Sequence, residues 1–494
     1  MVVLFYAASF GIEYFYHSLY NLREIKIQED YRMFGKKTSV KRGLKIIIVG
    51  CGKVGVTLVE QLSKEGHDIT IVDKNAEKIQ EIANFFDIMG LAGNGASYSV
   101  LMEAGIEEAD LIIAVTESDE LNLLCCTMAK QVGDCAAIAR VRTPDYSQEA
   151  AYLREKLGLA MIINPELKAA REAARILFLP SALEAHSFAR GQAELIKFAV
   201  PENNILDGMT IAQMGEKLAT EVLVCAVERG KKVYIPDGSF QIMKGDVLSF
   251  VASRKTTKPF LKQIGFQTNQ VANTLIIGGG KAAFYLAKQL ISVGISVKII
   301  EQNKARCEEL SVLLPEAVII NGDGTDQELL EEEGISWVES FVPLTGIDEE
   351  NILLTLYARQ VSNAKVITKI NRITFKDVIN GLDLGSVIYP RYITSEAIIA
   401  YVRAKKNSVD SNIETLYHMY DSKVEAIEFR VDAPSAVTDV PLMNLSLKKD
   451  LLVSCIFREG KILIPSGQDC IREGDSVMVV TTNTGFDDIQ DILL

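Results

Sequence analysis

Gly50, Gly52 and Gly55 stand in G-x-G-x-x-G spacing within GCGKVG. An apolar run, Ile46 to Val49, precedes them, and a stretch of helical pattern from Lys53 to Lys64 follows and stops at Gly66. A second apolar run, Ile69 to Val72, then delivers Asp73. These residues at this spacing can hold a dinucleotide. The first glycine permits a tight turn, the second lets backbone approach a pyrophosphate, and the third lets the helix pack close on the strand. The helix N-terminus offers free N–H groups and its positive dipole end to the phosphates. Asp73 can accept from a ribose 2′-OH, and its charge repels a 2′-phosphate, so the pattern favours NAD over NADP. A lone glycine fingerprint is weak, but one set between two strands with an acid at this distance is specific.

The elements around the fingerprint must place these residues together. Strand and helix patterns alternate down to Ile163, which predicts a doubly wound parallel sheet. Leu111 to Val115 reads as a buried strand, ending at Thr116 and Glu117 where open α/β sheets hold ligands. Thr116 can offer a hydroxyl to the dinucleotide or help cap the next helix, and both readings stand. Ser118 or Asp119 can cap the helix Glu120 to Gln131. Arg140, on the following strand end, can meet a phosphate in its own site or a neighbouring one.

The pattern then changes and later starts again. From about Ala189 to Ser253 the strands are short, with turns at Pro236-Asp237-Gly238 and Gly245-Asp246, which reads as a small α+β module. At Thr274 the opening recurs: Gly278, Gly280 and Ala283 match the three glycines and Glu301 matches Asp73, all 228 residues on. GNGAS recurs as GDGTD, Arg140 becomes Lys369, and Gly474-Asp475 answers Gly245-Asp246. The chain is one two-lobe unit written twice. Its expected divisions are an extension over 1–43, a Rossmann-like lobe over 44–165, a connector helix over 166–188 and an α+β lobe over 189–268. The second set is 271–390, 391–415 and 416–494.

A formal net charge of −13 argues against nucleic acid as a partner. The eight cysteines form no C-x-x-C pair and read as reduced, buried thiols of a cytosolic protein. The four histidines are scattered, so no metal site is expected; His67 reads as a solvent-facing turn residue and His186 as part of a connector. No catalytic base or nucleophile stands out, and a dehydrogenase needs one beside its cofactor. The expectation is therefore a site that binds without reacting. The apolar start, Met1 to Tyr20, is interrupted by Glu13 and His17, which suits a spanning helix poorly. It reads as an amphipathic helix or as upstream sequence from a misplaced start codon, with Met33 the alternative start; the second is preferred.

The order GxGxxG, IVD, GNGAS, AVTESDELN and IARVRTPDYS, then a small IPDG and GD module, all repeated, resembles the TrkA family. SVIYPRYITSEAI, from Ser386, is similar to that family's second connector. The resemblance covers 44–494. It implies two regulator-of-K-conductance units, each a TrkA-N plus a TrkA-C lobe, and a homo-oligomeric ring beneath a membrane-embedded potassium-translocating Trk subunit. It implies a cytoplasmic regulator, peripheral on the inner face of the membrane, that senses NAD(H), with ATP or ADP as further ligands. Nucleotide contacts then fall on Gly50, Cys51, Gly52, Lys53, Val54, Asp73, Thr116, Glu117 and Arg140. In the second half they fall on Gly278, Gly279, Gly280, Lys281, Ala282 and Glu301. Two departures mark the second site: Ala283 for the third glycine, and Pro343 at the end of the fourth strand, where it removes a ladder donor and reshapes the crevice rim. The alternatives are an NAD-dependent oxidoreductase with duplicated lobes and a regulatory module of another cation channel or antiporter.

Overall fold

The computed structural model describes residues 43–218, 221–371, 378–379, 381–406, 413–420 and 422–494. The expectations for the start of the chain, residues 1–42, lie outside the described residues. Leu44–Leu494 form one unit. Its first lobe is a six-stranded sheet in the order β3-β2-β1-β4-β5-β6. The strands are β1 (Lys45–Val49), β2 (Asp68–Asp73), β3 (Met89–Ala92), β4 (Leu111–Ala114), β5 (Ala136–Arg140) and β6 (Met161–Ile163). All of them pair in parallel. Central strands covered by helices on both faces must be apolar throughout, and β1 and β4 are buried almost end to end. Strand order reverses between β1 and β4, which opens a crevice at their carboxyl ends.

An antiparallel sheet follows, from β7 (Glu184–Phe188), β8 (Ala193–Ala199), β9 (Val222–Arg229), β10 (Lys232–Tyr234) and β11 (Val247–Ser253), in the order β10-β9-β11-β8-β7. The connector is helical only over Pro165–Phe178, and His186 already lies on β7. The second half repeats both sheets strand for strand. Its parallel sheet takes β12 (Asn273–Ile277), β13 (Ser296–Glu301), β14 (Val318–Asn321), β15 (Ser340–Pro343), β16 (Lys365–Lys369) and β17 (Ser386–Ile388) in the order β14-β13-β12-β15-β16-β17. Its antiparallel sheet takes β18 (Ile413–Met419), β19 (Val424–Arg430), β20 (Leu451–Arg458), β21 (Lys461–Leu463) and β22 (Ser476–Thr481) in the order β18-β19-β22-β20-β21.

The halves are packed crosswise. The connector helix Pro165–Phe178 lies on the second fingerprint helix, Lys281–Ser292, in one apolar cluster. The connector helix Pro390–Lys406 lies on the first fingerprint helix, Lys53–Lys64. The two antiparallel sheets share a core in which Leu195, Val251 and Phe188 meet Met419, Val424 and Met478. Each repeated Gly-Asp pair marks an ion pair between a buried aspartate and a partly exposed arginine. Asp246 takes Arg229 Nε and Nη2 at 2.7 Å each. Asp475 takes Arg458 Nε at 2.8 Å and Nη2 at 2.7 Å. His67 differs from its expected exposure. It is buried, and its Nδ1 accepts from Leu44 N at 3.1 Å, so it fixes the chain entering β1.

Candidate functional site

The first crevice is built on the turn after β1. Gly50 has φ +116°, a conformation open to glycine, and its N–H donates to Val72 O at 2.8 Å. A Cβ on Gly55 would stand 1.9 Å from Gly50 O, so the third glycine is what lets the helix start this close to the turn. A Cβ on Gly52 meets nothing within 4 Å, so its face is open. Asp73 leans back over the turn: one carboxylate oxygen accepts from Cys51 N at 2.6 Å and the other from Asn75 N at 2.9 Å. Cys51 is buried, and that burial pushes its thiol up to about 12, so it offers backbone rather than a nucleophile.

The second crevice repeats this. Gly278 has φ +93°, a Cβ on Gly280 meets open space, and Glu301 accepts from Gly279 N at 2.6 Å and from Asn303 N at 2.7 Å. Ala283 is fully buried, so its methyl group packs where Gly55 has none. Arg306 closes over the turn, donating from Nε to Gly279 O at 2.7 Å. Pro343 acts as its chemistry requires. β15 registers with β16 only at Ser340 and Phe341, whereas β4 stays in register with β5 from Leu111 to Ala114.

Both fingerprint helices begin without a side-chain cap. The helices Ala76–Phe85, Asp119–Val132, Pro165–Phe178 and Lys304–Leu313 are capped by Asn75, Ser118, Asn164 and Asn303. A helix start leaves its first N–H groups without intrahelical partners. Those groups, on Lys53, Val54 and Gly55 and on Lys281, Ala282 and Ala283, follow directly on Gly52 and Gly280, where a Cβ would meet nothing within 4 Å. This donor set, beside a carboxylate with acceptor capacity left, fits a pyrophosphate and its ribose.

The rim differs from the sequence reading. The Thr116 hydroxyl lies 2.7 Å from Asn122 Oδ1 and 3.2 Å from Ser118 O, so it is engaged within its own loop, and Ser118 is the cap. Glu117 is exposed, and its carbonyl accepts from Arg142. Arg140 is largely buried, with Nη2 3.5 Å from Glu166 Oε1. Glu166 stands in the first turn of the connector helix Pro165–Phe178. The counterpart of Arg140, Lys369, donates to Leu344 O at 2.9 Å, and burial pulls its ammonium down to about 8.

Sequence reading missed Asn122, which organises this rim. Its Oδ1 accepts from Thr116 N at 2.8 Å, and its Nδ2 donates to Arg140 O at 2.9 Å. Asn351 does the same for Thr345 N at 2.9 Å and Lys369 O at 3.0 Å. Asp119 was seen only as a cap. Its Oδ2 accepts from Arg142 N at 2.8 Å and from Thr143 N and Oγ1 at 2.7 Å each. The repeat of DELN as DEEN at a fixed offset was the available signal. A cavity of about 660 Å³ lies away from both turns, lined by His186, Glu172, Glu396, Tyr417 and His418 among others. Among the described residues no group of His, Cys, Asp and Glu side chains could hold a metal ion, and no helix is long and apolar enough to cross a membrane.

Two parallel-sheet lobes with uncapped glycine turns, each followed by an antiparallel lobe, define a tandem of Rossmann-type ligand-binding units. The TrkA-N domain family matches residues 46–165 and 274–390, and the TrkA-C domain family matches 195–265 and 426–494. The chain belongs to the TrkA family. It is 31% identical over 455 residues to Trk system potassium uptake protein TrkA homolog 1 of Methanosarcina mazei, covering 90% of this chain and 99% of that one. It is 30% identical over 440 residues to Trk system potassium uptake protein TrkA of Haemophilus influenzae, covering 88% and 95%. In fold it is similar to the GsuK channel bound to NAD, with a TM-score of 0.60 at 18% identity over 91% of this chain and 80% of that one. It is also similar to the GsuK RCK domain, with a TM-score of 0.61 at 18% identity over 90% and 93%.

Proposed function

We propose that this chain is a non-enzymatic regulatory subunit that binds NAD(H) in its crevices and gates a membrane-embedded potassium transporter of the Trk type. The observation that carries the reading is the pair of uncapped helix starts, each facing open space at Gly52 or Gly280 and each flanked by an acid, Asp73 or Glu301. When bound, the dinucleotide supplies a ligand whose presence differs with metabolic state. Gly52 gives its pyrophosphate room, the N–H groups of residues 53–55 hold it, and Asp73 orients the ribose. ATP or ADP fits the same phosphate donors. The relatives' names supply the transporter, and a ring of copies on the inner face of the membrane is the assembly that would deliver the signal.

The lobes proposed as working units are 44–165 with 189–268, and 271–390 with 416–494, joined by the connectors over 166–188 and 391–415. A ligand shifts such an assembly only through unequal affinity for two arrangements of the lobes. The crosswise packing supplies the lever, since each fingerprint helix carries the other half's connector. The test is potassium flux into proteoliposomes holding the transporter subunit, with and without this chain. Flux that depends on both chain and NAD(H), with the nucleotide recovered unchanged, is the expected result. Oxidation of NADH by the purified chain with any of a panel of small carbonyl compounds would favour an oxidoreductase instead.

A further inference from the structure

The second fingerprint helix reaches into the first crevice's rim. Lys281 directly follows the glycine turn of the second crevice, yet its ammonium donates to Thr143 Oγ1 at 3.1 Å and lies 4.0 Å from Asp119 Oδ2. One turn on, Tyr285 donates its hydroxyl to Arg142 O at 2.8 Å and receives Asn164 Nδ2 at 3.0 Å. Asp119 is 3% exposed, and its Oδ1 has no hydrogen-bond partner but faces Arg142 Nε at 3.5 Å. Burial works against its charge. The Thr143 hydroxyl, the Arg142 and Thr143 N–H groups and the Lys281 charge outweigh that and hold its carboxyl below the usual range.

The mirror-related arrangement differs. Thr57 stands where Tyr285 stands, and its hydroxyl turns back to Lys53 O at 3.0 Å. Asp348, the counterpart of Asp119, takes Asn371 N and Nδ2 at 2.9 Å each. The Tyr285 contact, from the second helix onto the first rim, is therefore not repeated by Thr57.

We infer that Lys281 is a positioning residue shared between the two crevices, a latch that clamps the rim of the first and lets go when a nucleotide phosphate enters the second. The inference rests on the nucleotide reading above. An anion at the second helix start competes with Asp119 for the same ammonium, because a mobile Lys head favours whichever negative partner is nearer and less solvated. Releasing it leaves Asp119 with its backbone and hydroxyl donors and the Arg142 guanidinium, whose Nε lies 3.5 Å from Oδ1, and removes the lysine's hold on Thr143 Oγ1, so the segment through Arg142 and Thr143 loosens. Occupancy of the second crevice is thereby reported at the mouth of the first, and by linkage the two sites oppose each other.

The test uses the full chain carrying Gly52→Asp, which leaves the second crevice as the site for added ADP. Calorimetry measures binding, and hydrogen exchange follows the Arg142 and Thr143 amides. Saturating ADP should speed their exchange by about fivefold or more, the smallest coupling usually called allosteric. With Lys281→Gln added, the same amides should already exchange fast without ADP and stay unchanged when ADP saturates. Thr143→Val, which removes the anchor and keeps the lysine, should behave alike. If ADP binds and the amides do not respond, the latch is overturned while the nucleotide reading stands. If no binding heat appears, the nucleotide reading of the second crevice falls, and the latch with it.

Discussion

Gly55→Ala tests how closely the first fingerprint helix must sit on its turn. The new Cβ would lie 1.9 Å from Gly50 O, against about 3.3 Å for the shortest comfortable carbon–oxygen contact. The helix start must retreat by about 1.4 Å, since such a contact needs about 3.3 Å. The turn cannot yield instead, because Gly50 is fixed at φ +116° and tied to Val72 O. The helix cannot retreat freely either, because Leu58, Val59 and Leu62 are fully buried beneath it. Overpacking of this kind costs about 1–3 kcal/mol, and alanine returns up to about 1 kcal/mol of helix propensity. A net loss of about 1 kcal/mol lowers the first lobe's melting by roughly 4 °C. The displaced N–H groups should also cost NADH about tenfold in affinity, since ångström misplacements commonly cost more. Scanning calorimetry and titration read the two effects. Wild-type stability and affinity in Gly55→Ala would refute the close-approach reasoning.

Three further outcomes are expected. Asn122→Ala strips the acceptor from Thr116 N and the donor from Arg140 O, and at about 1–3 kcal/mol per orphaned group should lower urea stability by about 3 kcal/mol. Arg403→Met leaves Glu65 and Glu425 facing each other across a site where Arg403 is 4% exposed. Loss of one member of a buried ion pair costs about 3–5 kcal/mol, and a fall under about 1 kcal/mol in denaturant titration would show the cluster to be solvated. Burial opposes the charge on His418, but contacts with Glu396 and Glu425 outweigh it and raise the imidazolium to about 9. A raised basic group contributes fully below its unfolded value of about 6.5 and loses that contribution as pH rises through the folded one. Melting temperature should therefore decline between about pH 6.5 and about pH 9, and His418→Gln should flatten that decline.

Elements set by local chemistry were legible in the sequence. The glycine turn, the helix Lys53–Lys64 ending before Gly66, the Ser118 cap and the duplication follow from backbone freedom, periodicity and spacing. The effect of Pro343 was legible for the same reason, since a missing N–H shortens a ladder wherever it falls. His67 was misread because a polar residue after a glycine usually faces water. Here the start of β1 needs an acceptor, and only the folded neighbour Leu44 reveals it. Lys281 was placed by sequence at its own turn, but its side chain serves the junction between halves. No spacing within one half encodes a partner that lies 138 residues away, as Thr143 does from Lys281.

The claim that the crevices bind NAD(H), with the first expected to be the stronger site, is tested most directly by titrating NADH into the wild-type chain, Gly52→Asp and Gly280→Asp. Both new side chains start in open space, so both variants should melt as the wild type does, and a change in binding reports the crevice alone. The first crevice keeps all three glycines, Asp73 and an unbroken β4, whereas the second carries Ala283, Pro343 and the Arg306 closure. Gly52→Asp should lower NADH affinity by about tenfold or more, or about 1.4 kcal/mol, and Gly280→Asp by clearly less. Equal losses would mean equivalent sites, and a larger loss in Gly280→Asp would contradict the account.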